Sequence, residues 1–153
     1  MKFKAVFAVL LSVLMLTSCG SSSKLVNSTD FSNGSIAGSV LSKFFTEYSN
    51  TGSIDFSKAQ NILNVSSLVS ALTSLKGDLS NQTTKDYSSG LISGSSNLVN
   101  NGNVSGVLSA LTSLGNFDFT KATNDMQRGR ASTSGNVADL TSGIVNILSL
   151  LKK

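Results

Sequence analysis

The spacing of apolar residues is the feature that most limits what this chain can fold into. From about residue 36 onward, apolar side chains recur three or four positions apart, with Ser, Thr and Asn between them. This spacing is typical of one face of an α-helix, whereas the strict alternation of a half-buried strand is scarce. The first such stripe comprises Ile36, Val40, Leu41, Phe44, Phe45 and Tyr48. The sequence therefore predicts an all-α protein.

Further stripes predict a compact bundle of about five to six short helices. They lie at 55–63, 65–75, 79–99, 104–114, 119–126 and 137–151, and the one at 79–99 is the weakest. Gly52 and Gly77 follow two of the stripes and have the character of helix-stop residues. Ser and Asn are poor helix formers because their side chains compete for backbone hydrogen bonds. We therefore expect tertiary burial to hold these helices.

Two segments recur along the chain. Residues 64–75 return as 103–114 with nine of 12 positions identical, and Asp-Phe-Ser-Lys-Ala at 55–59 returns as Asp-Phe-Thr-Lys-Ala at 118–122. Such similarity indicates an internal duplication. The predicted halves are about 33–100 and 101–153.

The repeated Asp-Phe element admits two interpretations. Asp55 with Phe56, and Asp118 with Phe119, would form a paired binding site if the fold brought them together. Helix capping explains the same residues without a ligand, because an Asp at a helix start accepts hydrogen bonds from the first turn. We therefore predict structural roles, with both Asp residues as helix caps and both Phe residues in the core.

The N-terminus carries a targeting pattern. Lys2 and Lys4 precede an apolar run over 5–16, and the only cysteine of the chain ends Leu16-Thr17-Ser18-Cys19. The run is too short to cross about 30 Å of hydrocarbon, which needs about 20 residues. Its length suits a secretory signal peptide. The pattern resembles the lipobox of bacterial lipoproteins.

The resemblance implies that Cys19 is acylated, with palmitate-type chains, and that cleavage removes residues 1–18 as a signal peptide. Residues 19–33 would then form a Ser/Asn-rich tether, and 34–153 a single helical domain. Gly20 stands where lipoproteins retained at the inner membrane often carry Asp, so the resemblance favours the outer membrane. An ordinary signal peptide with an incidental cysteine, a buried N-terminal helix and a free thiol are the alternatives.

The residue types needed for most site chemistry are missing. The chain has no His, which excludes Ser-His and Cys-His nucleophiles and Cys/His zinc sites. The eight acidic residues are scattered singly, so no metal site, cofactor or enzyme activity is expected. Without Lys2 and Lys4 the net charge is near +2, and the remaining Lys and Arg residues form no basic stripe. Nucleic acid is therefore not an expected partner. Arg128-Gly129-Arg130 suits contact with anionic lipid or polysaccharide, although a solvated loop also explains it.

These observations predict a lipid-anchored protein of the cell envelope with a non-catalytic, structural or accessory role. Its partners would be the membrane, through the N-terminal lipid, and another envelope protein or a glycan. One alternative is a carrier that holds an apolar ligand within the helical bundle. Another is a hydrolase that pairs Asp and Ser, which requires two acidic residues to converge in a cleft.

Overall fold

The computed structural model describes residues 28–75 and 81–151. These residues form six α-helices and a short 3₁₀ turn, without any strand, and the all-α prediction is confirmed. The α-helices are α1 (Thr29–Thr51), α2 (Ala59–Leu72), α3 (Asn81–Gly94), α4 (Val104–Leu114), α5 (Phe119–Gln127) and α6 (Gly135–Leu151). The predicted signal peptide, Cys19 and the helix stop at Gly77 lie outside the described residues.

The helical body begins earlier than predicted. Residues 29–33, expected in the tether, form the first turns of α1. The Ser28 hydroxyl oxygen accepts a hydrogen bond from the Phe31 N–H at 3.0 Å, and Asp30 in the first turn suits the positive end of the helix dipole. The C-terminal end of α1 lies where the sequence predicted it. Gly52 adopts φ 75°, and its N–H donates to the Tyr48 carbonyl at 2.8 Å. The stop at Gly52 is confirmed.

A single helix, α2, covers most of the region in which two helices were predicted. The stripes at 55–63 and 65–75 were expected to be separate, but one helix runs through the Asn64-Val65 step to Leu72 and ends in the 3₁₀ turn Thr73–Leu75. Asn64 therefore does not begin a helix. Its side chain is buried, and its amide donates a hydrogen bond to the Asn61 side-chain oxygen, one turn earlier in the same helix, at 3.5 Å.

Helices α1 and α3 make an unusually close contact. A methyl carbon added at Gly34 would overlap the Tyr87 carbonyl oxygen and lie 2.9 Å from the Leu91 nitrogen. One added at Gly38 would meet the Leu91 carbonyl oxygen and lie 2.9 Å from the Ser95 nitrogen. The order of these contacts shows that the two helices run parallel. Their backbones touch because no side chain separates them.

The contact explains why α3 is a helix despite its weak apolar pattern. Gly90 and Gly94 on α3 allow the same close approach as the glycines of α1. The Phe31 and Ser35 carbonyls of α1 occupy the space that side chains at these two positions would fill. Tyr87 is fully buried, and its hydroxyl donates to the Ala71 carbonyl of α2 at 3.0 Å. Burial raises the pKa of Tyr87. Tertiary contacts therefore fix α3 against both α1 and α2.

One hydrophobic core receives side chains from all six helices. Its members include Leu41, Phe44, Leu68, Leu72, Leu91, Leu111, Ala122, Met126, Leu140, Ile144 and Leu148. Two large apolar residues of the predicted stripes are exposed instead: Ile36 at 40%, and Leu63, the last residue of the stripe at 55–63, at 60%. Near Ile36 the buried positions of α1 are taken by Gly34, Ala37 and Gly38. Leu63 points outward because Asn61 and Asn64 occupy the inward positions of that turn.

The two copies of the 12-residue repeat are both helical but sit differently. The copy at 64–75 begins inside α2 and continues into the 3₁₀ turn, whereas the copy at 103–114 begins at Asn103, the residue before α4. The Asn103 amide donates to the Leu98 carbonyl at 3.0 Å and to the Leu150 carbonyl at 3.2 Å. The duplication of the chain stays a prediction.

Candidate binding groove

A groove of about 480 Å³ opens where the loop after α1 faces the loop after α5. Backbone and side chains of both loops and of α6 form it. Its lining consists of Ser53, Ile54, Asp55, Phe56, Ser57, Gly129, Ala131, Ser132, Val137 and Thr141. Ser53 follows the C-terminal end of α1, so the groove lies at the opposite end of this helix from Ser28. We call it the distal groove.

Glu47 fixes the first wall. Its carboxylate accepts hydrogen bonds from the Lys58 ammonium and the Asn61 amide, both at 2.7 Å, and from the Asp55 N–H at 3.3 Å. Burial acts to raise the pKa of Glu47, but the hydrogen bonds from Lys58 and Asn61 outweigh it and hold the pKa below its usual range. The ionised side chain thus ties the last turns of α1 to the loop and to the start of α2.

Asp55 shapes the same wall without capping α2. The N-cap position belongs to Lys58, which makes no side-chain cap bond. The prediction for Asp55 was wrong because its Oδ1 accepts from the Ser57 N–H at 2.9 Å and the Ser57 hydroxyl at 2.6 Å, which forms an Asx turn ahead of the helix. These bonds lower the pKa of Asp55, so its carboxylate is ionised at neutral pH.

Asp125 fixes the second wall in a similar way. Its Oδ2 accepts from the Ser134 hydroxyl at 2.7 Å and the Asn136 amide at 3.2 Å, and its backbone carbonyl accepts from the Arg130 N–H at 2.8 Å. The Ser134 bond, then the Asn136 bond, lowers the pKa of Asp125, and the charges of the nearby arginines add to the effect. The loop between α5 and α6 is therefore held at both ends.

The floor of the groove is apolar. Phe56 is buried and packs edge-on against Phe44, with 5.8 Å between the ring centroids, and Val137 is buried beside it. The Thr141 hydroxyl donates to the Val137 carbonyl at 2.7 Å. A ligand in the groove thus meets hydroxyl groups and one carboxylate above a hydrophobic base.

Two arginines stand beside the groove. Gly129 lines it with φ 71°, a left-handed conformation that favours glycine, and exposed Arg128 and Arg130 flank this residue. The ion pairs within the described residues are Lys58 with Glu47 and Lys121 with Asp118, so neither guanidinium belongs to one. Both guanidinium groups stay available to a ligand.

The structure separates the two Asp-Phe elements. Asp55 and Phe56 line the distal groove, whereas Phe119 lines a different groove, between α2 and α5. Asp118 is the N-cap residue of α5, and its Oδ1 accepts from the Lys121 N–H at 3.4 Å. Phe119 is buried, with Phe117 edge-on at 5.4 Å. The elements do not share one groove, and Cys19 lies outside the described residues.

Sequence reasoning missed the residues that build the walls. Glu47 is the only glutamate of the chain, which is a weak signal, and Asp125 was grouped with the scattered acids. Ser132 and Thr141 resemble many other hydroxyl residues in this Ser/Thr-rich sequence. No local pattern links Asp125 to Asn136, because their contact depends on the turn that brings α6 back against α5.

The chain matches no known protein-family model, no curated protein and no solved structure. Within residues 28–75 and 81–151, no helix combines the length and apolar character needed to cross a membrane. The same residues bring together no group of three His, Cys, Asp or Glu side chains suited to a metal ion.

Proposed function

We propose that this protein is a lipid-anchored, non-catalytic accessory component of the cell envelope that holds an envelope protein or glycan in the distal groove. The anchor would be Cys19, and its lipobox-like context with Gly20 favours the outer membrane. The observation that carries the proposal is the distance between the two ends of α1. A helix of 23 residues is about 35 Å long, so a body tethered ahead of Ser28 presents the groove away from the membrane.

The groove suits binding rather than bond cleavage. Its walls are held by carboxylates that are already hydrogen-bonded, so little order has to be gained when a partner binds. Asp55 is ionised at neutral pH and therefore a poor proton donor. The available groups are hydroxyls, one carboxylate and two guanidinium groups at the edge.

A pull-down from crosslinked cells tests the proposal. The full chain is compared with a Cys19→Ala variant, which removes the acylation site, and with Ser132→Trp, which places a large side chain in the groove. Ser109→Trp, at an exposed position of α4, is the matched control. We expect a specific partner that the Ser109→Trp variant retains and both other variants lose. A partner captured equally by the Ser132→Trp variant would contradict a role for the groove.

One observation favours the alternative of an apolar-ligand carrier. Phe45, Tyr48, Val145 and Leu148 line a second groove of about 480 Å³ between α1 and α6, flanked by Ser49 and Ser149. Native mass spectrometry of the purified full chain tests it. A co-purified lipid that the Val145→Trp variant lacks would support the carrier, and a ligand-free wild-type protein would contradict it.

A further inference from the structure

We propose that the distal groove binds an acidic polysaccharide, with Arg128 and Arg130 binding the carboxylate groups and the groove binding the sugar hydroxyls. The inference rests on the proposed function, because it names the partner chemistry of the same groove. It gives a role to the guanidinium groups of Arg128 and Arg130, which form no ion pair among residues 28–75 and 81–151.

Of the charged side chains, Asp55 lines the groove itself. Five more belong to the groups that hold its two walls or to the loop around Gly129, and the six formal charges cancel: Glu47, Asp55 and Asp125 are negative, and Lys58, Arg128 and Arg130 are positive. The groups differ in how far they are engaged within the protein. Glu47 binds Lys58, and Asp125 binds Ser134 and Asn136.

The arginines are therefore the charges that a ligand can bind without breaking a bond within the protein. A guanidinium group forms two parallel hydrogen bonds with a carboxylate. The contact is therefore directional, unlike a long-range electrostatic attraction. Because the total charge is zero, a polymer of fixed negative charge alone has little to gain. A ligand that alternates carboxylates with hydroxyls has partners on every side.

The lining of the groove offers hydroxyl groups to a sugar. They belong to Ser53, Ser57, Ser132 and Thr141. The apolar floor at Phe56 and Val137 suits the carbon face of a sugar ring. Both walls are fixed before binding, by Glu47 on one side and Asp125 on the other. Such preorganisation lowers the entropy lost when a flexible polymer is bound.

Gly129 turns the loop between the two arginines with a φ of 71°, and no atom lies within 4 Å of the place where a Cβ would stand. Crowding therefore does not demand glycine here, and only the backbone conformation does. Gly129 itself lines the groove, and the exposed Arg128 and Arg130 are its two neighbours in the chain.

Calorimetric titration of the detergent-solubilised full chain with polygalacturonate, and with dextran as the neutral polymer, tests the inference. We expect binding of polygalacturonate and at least tenfold weaker binding of dextran. The Arg128→Gln/Arg130→Gln variant should bind polygalacturonate at least tenfold more weakly, because it lacks both guanidinium groups. The Lys43→Gln/Lys85→Gln variant, with the same change in net charge at two exposed positions, should bind as the wild type does. Equal weakening in both double variants, or equal binding of the two polymers, would overturn the inference.

Asp55→Asn sharpens the test because an Asn side chain keeps an acceptor for the turn with Ser57. Removal of this negative charge should tighten polygalacturonate binding about two- to fivefold. Weaker or unchanged binding would overturn the placement of the polymer in the groove. If the pull-down yields a specific protein sensitive to Ser132→Trp while polygalacturonate does not bind, this inference fails and the proposed function stands. If the pull-down shows no dependence on the groove and no polymer binds, both fail.

Discussion

The two halves of the molecule use glycine for opposite purposes. In the first half, α1 and α3 touch through their backbones, and a methyl carbon at Gly90 would overlap the Phe31 carbonyl oxygen and lie 2.8 Å from its carbon. In the second half, α4 and α6 are separated by leucine side chains. A methyl carbon at Gly106 would lie 3.9 Å from Leu150 Cδ1, and one at Gly143 would lie 3.0 Å from Leu114 Cδ1.

This difference shows that a helix can be stabilised by packing against a neighbouring helix as well as by the residues of its own sequence. Glycine in a helix interior costs about 0.5–1 kcal/mol relative to alanine. In α3 the close approach of a second backbone offsets that cost, since it brings many atoms into van der Waals contact. In α4 the side chains already define the helix, so the glycine is tolerated rather than required.

The largest effect is expected for Gly90→Ala. The new methyl group would meet the backbone of α1, which cannot rotate away as a side chain can. We expect the free energy of unfolding to fall by about 3 kcal/mol, at the upper end for overpacking. Urea denaturation measured by circular dichroism checks it. A loss below about 1 kcal/mol would show that α1 and α3 separate easily.

Tyr87→Phe tests whether α3 is also held by a specific polar contact. The change leaves the ring in place but removes the hydrogen bond to the buried Ala71 carbonyl. We expect a loss of about 1–1.5 kcal/mol because a buried hydrogen bond is removed. The same denaturation measurement applies. Stability equal to that of the wild type would mean that the glycine contacts alone position α3.

Glu47→Gln addresses the polar link between α1 and α2. We expect a loss of about 1 kcal/mol at neutral pH, because the pair with Lys58 is partly exposed. The pKa of Glu47 is lower in the folded chain, so its contribution is complete above the unfolded-state value of about 4.5 and disappears as the pH falls through the folded value. The stabilities of the two proteins should therefore differ at neutral pH and converge as the pH falls below the folded-state pKa. A gap that persists in acid would exclude the carboxylate charge as its cause.

Gly106→Ala is the matched counterpart of Gly90→Ala in the second half. With open space around the position, alanine should raise the stability by about 0.5–1 kcal/mol through its higher helix propensity. Thermal unfolding of the single variant and of the double variant with Gly90→Ala measures it. Destabilisation would remove the contrast between the halves.

The smallest effect is expected for Gly143→Ala. The gain in helix propensity is opposed by the contact with Leu114 Cδ1, the flexible end of a side chain that can shift. We expect a net change within about 0.5 kcal/mol of zero. A loss comparable to that of Gly90→Ala would mean that α4 and α6 are packed as rigidly as α1 and α3.

Local signals predicted much of the fold. The apolar stripes located all the helices of residues 28–75 and 81–151, the left-handed Gly52 ended α1 as expected, and Asp118 is the N-cap of α5. These features depend on residues within one or two helical turns of each other. The same reasoning failed for Asp55, whose carboxylate bonds to Ser57 in a turn, and a turn and a cap share the same sequence preferences.

The candidate groove was not predictable in the same way. Arg128 and Arg130 stand out in the sequence, but no sequence pattern brings the loop around Gly129 to the same groove as Asp55, which is more than 70 positions away. The walls depend on Glu47 and Asp125, each of which bonds to residues in another helix or loop. Such contacts follow from the packing of α2 against α1 and of α6 against α5 rather than from any spacing along the chain.

By itself, the sequence determined the class of fold and the approximate positions of the helices, because helical periodicity and capping act over a few residues. It also carries the lipobox-like N-terminus on which the proposed anchor depends. The tertiary structure alone decided that α2 is continuous, that α1 and α3 run parallel in backbone contact, and that two distant loops form a groove. The physical reason is that Gly34 and Gly90, like Asp55 and Gly129, become neighbours only when burial of the shared core brings their helices together.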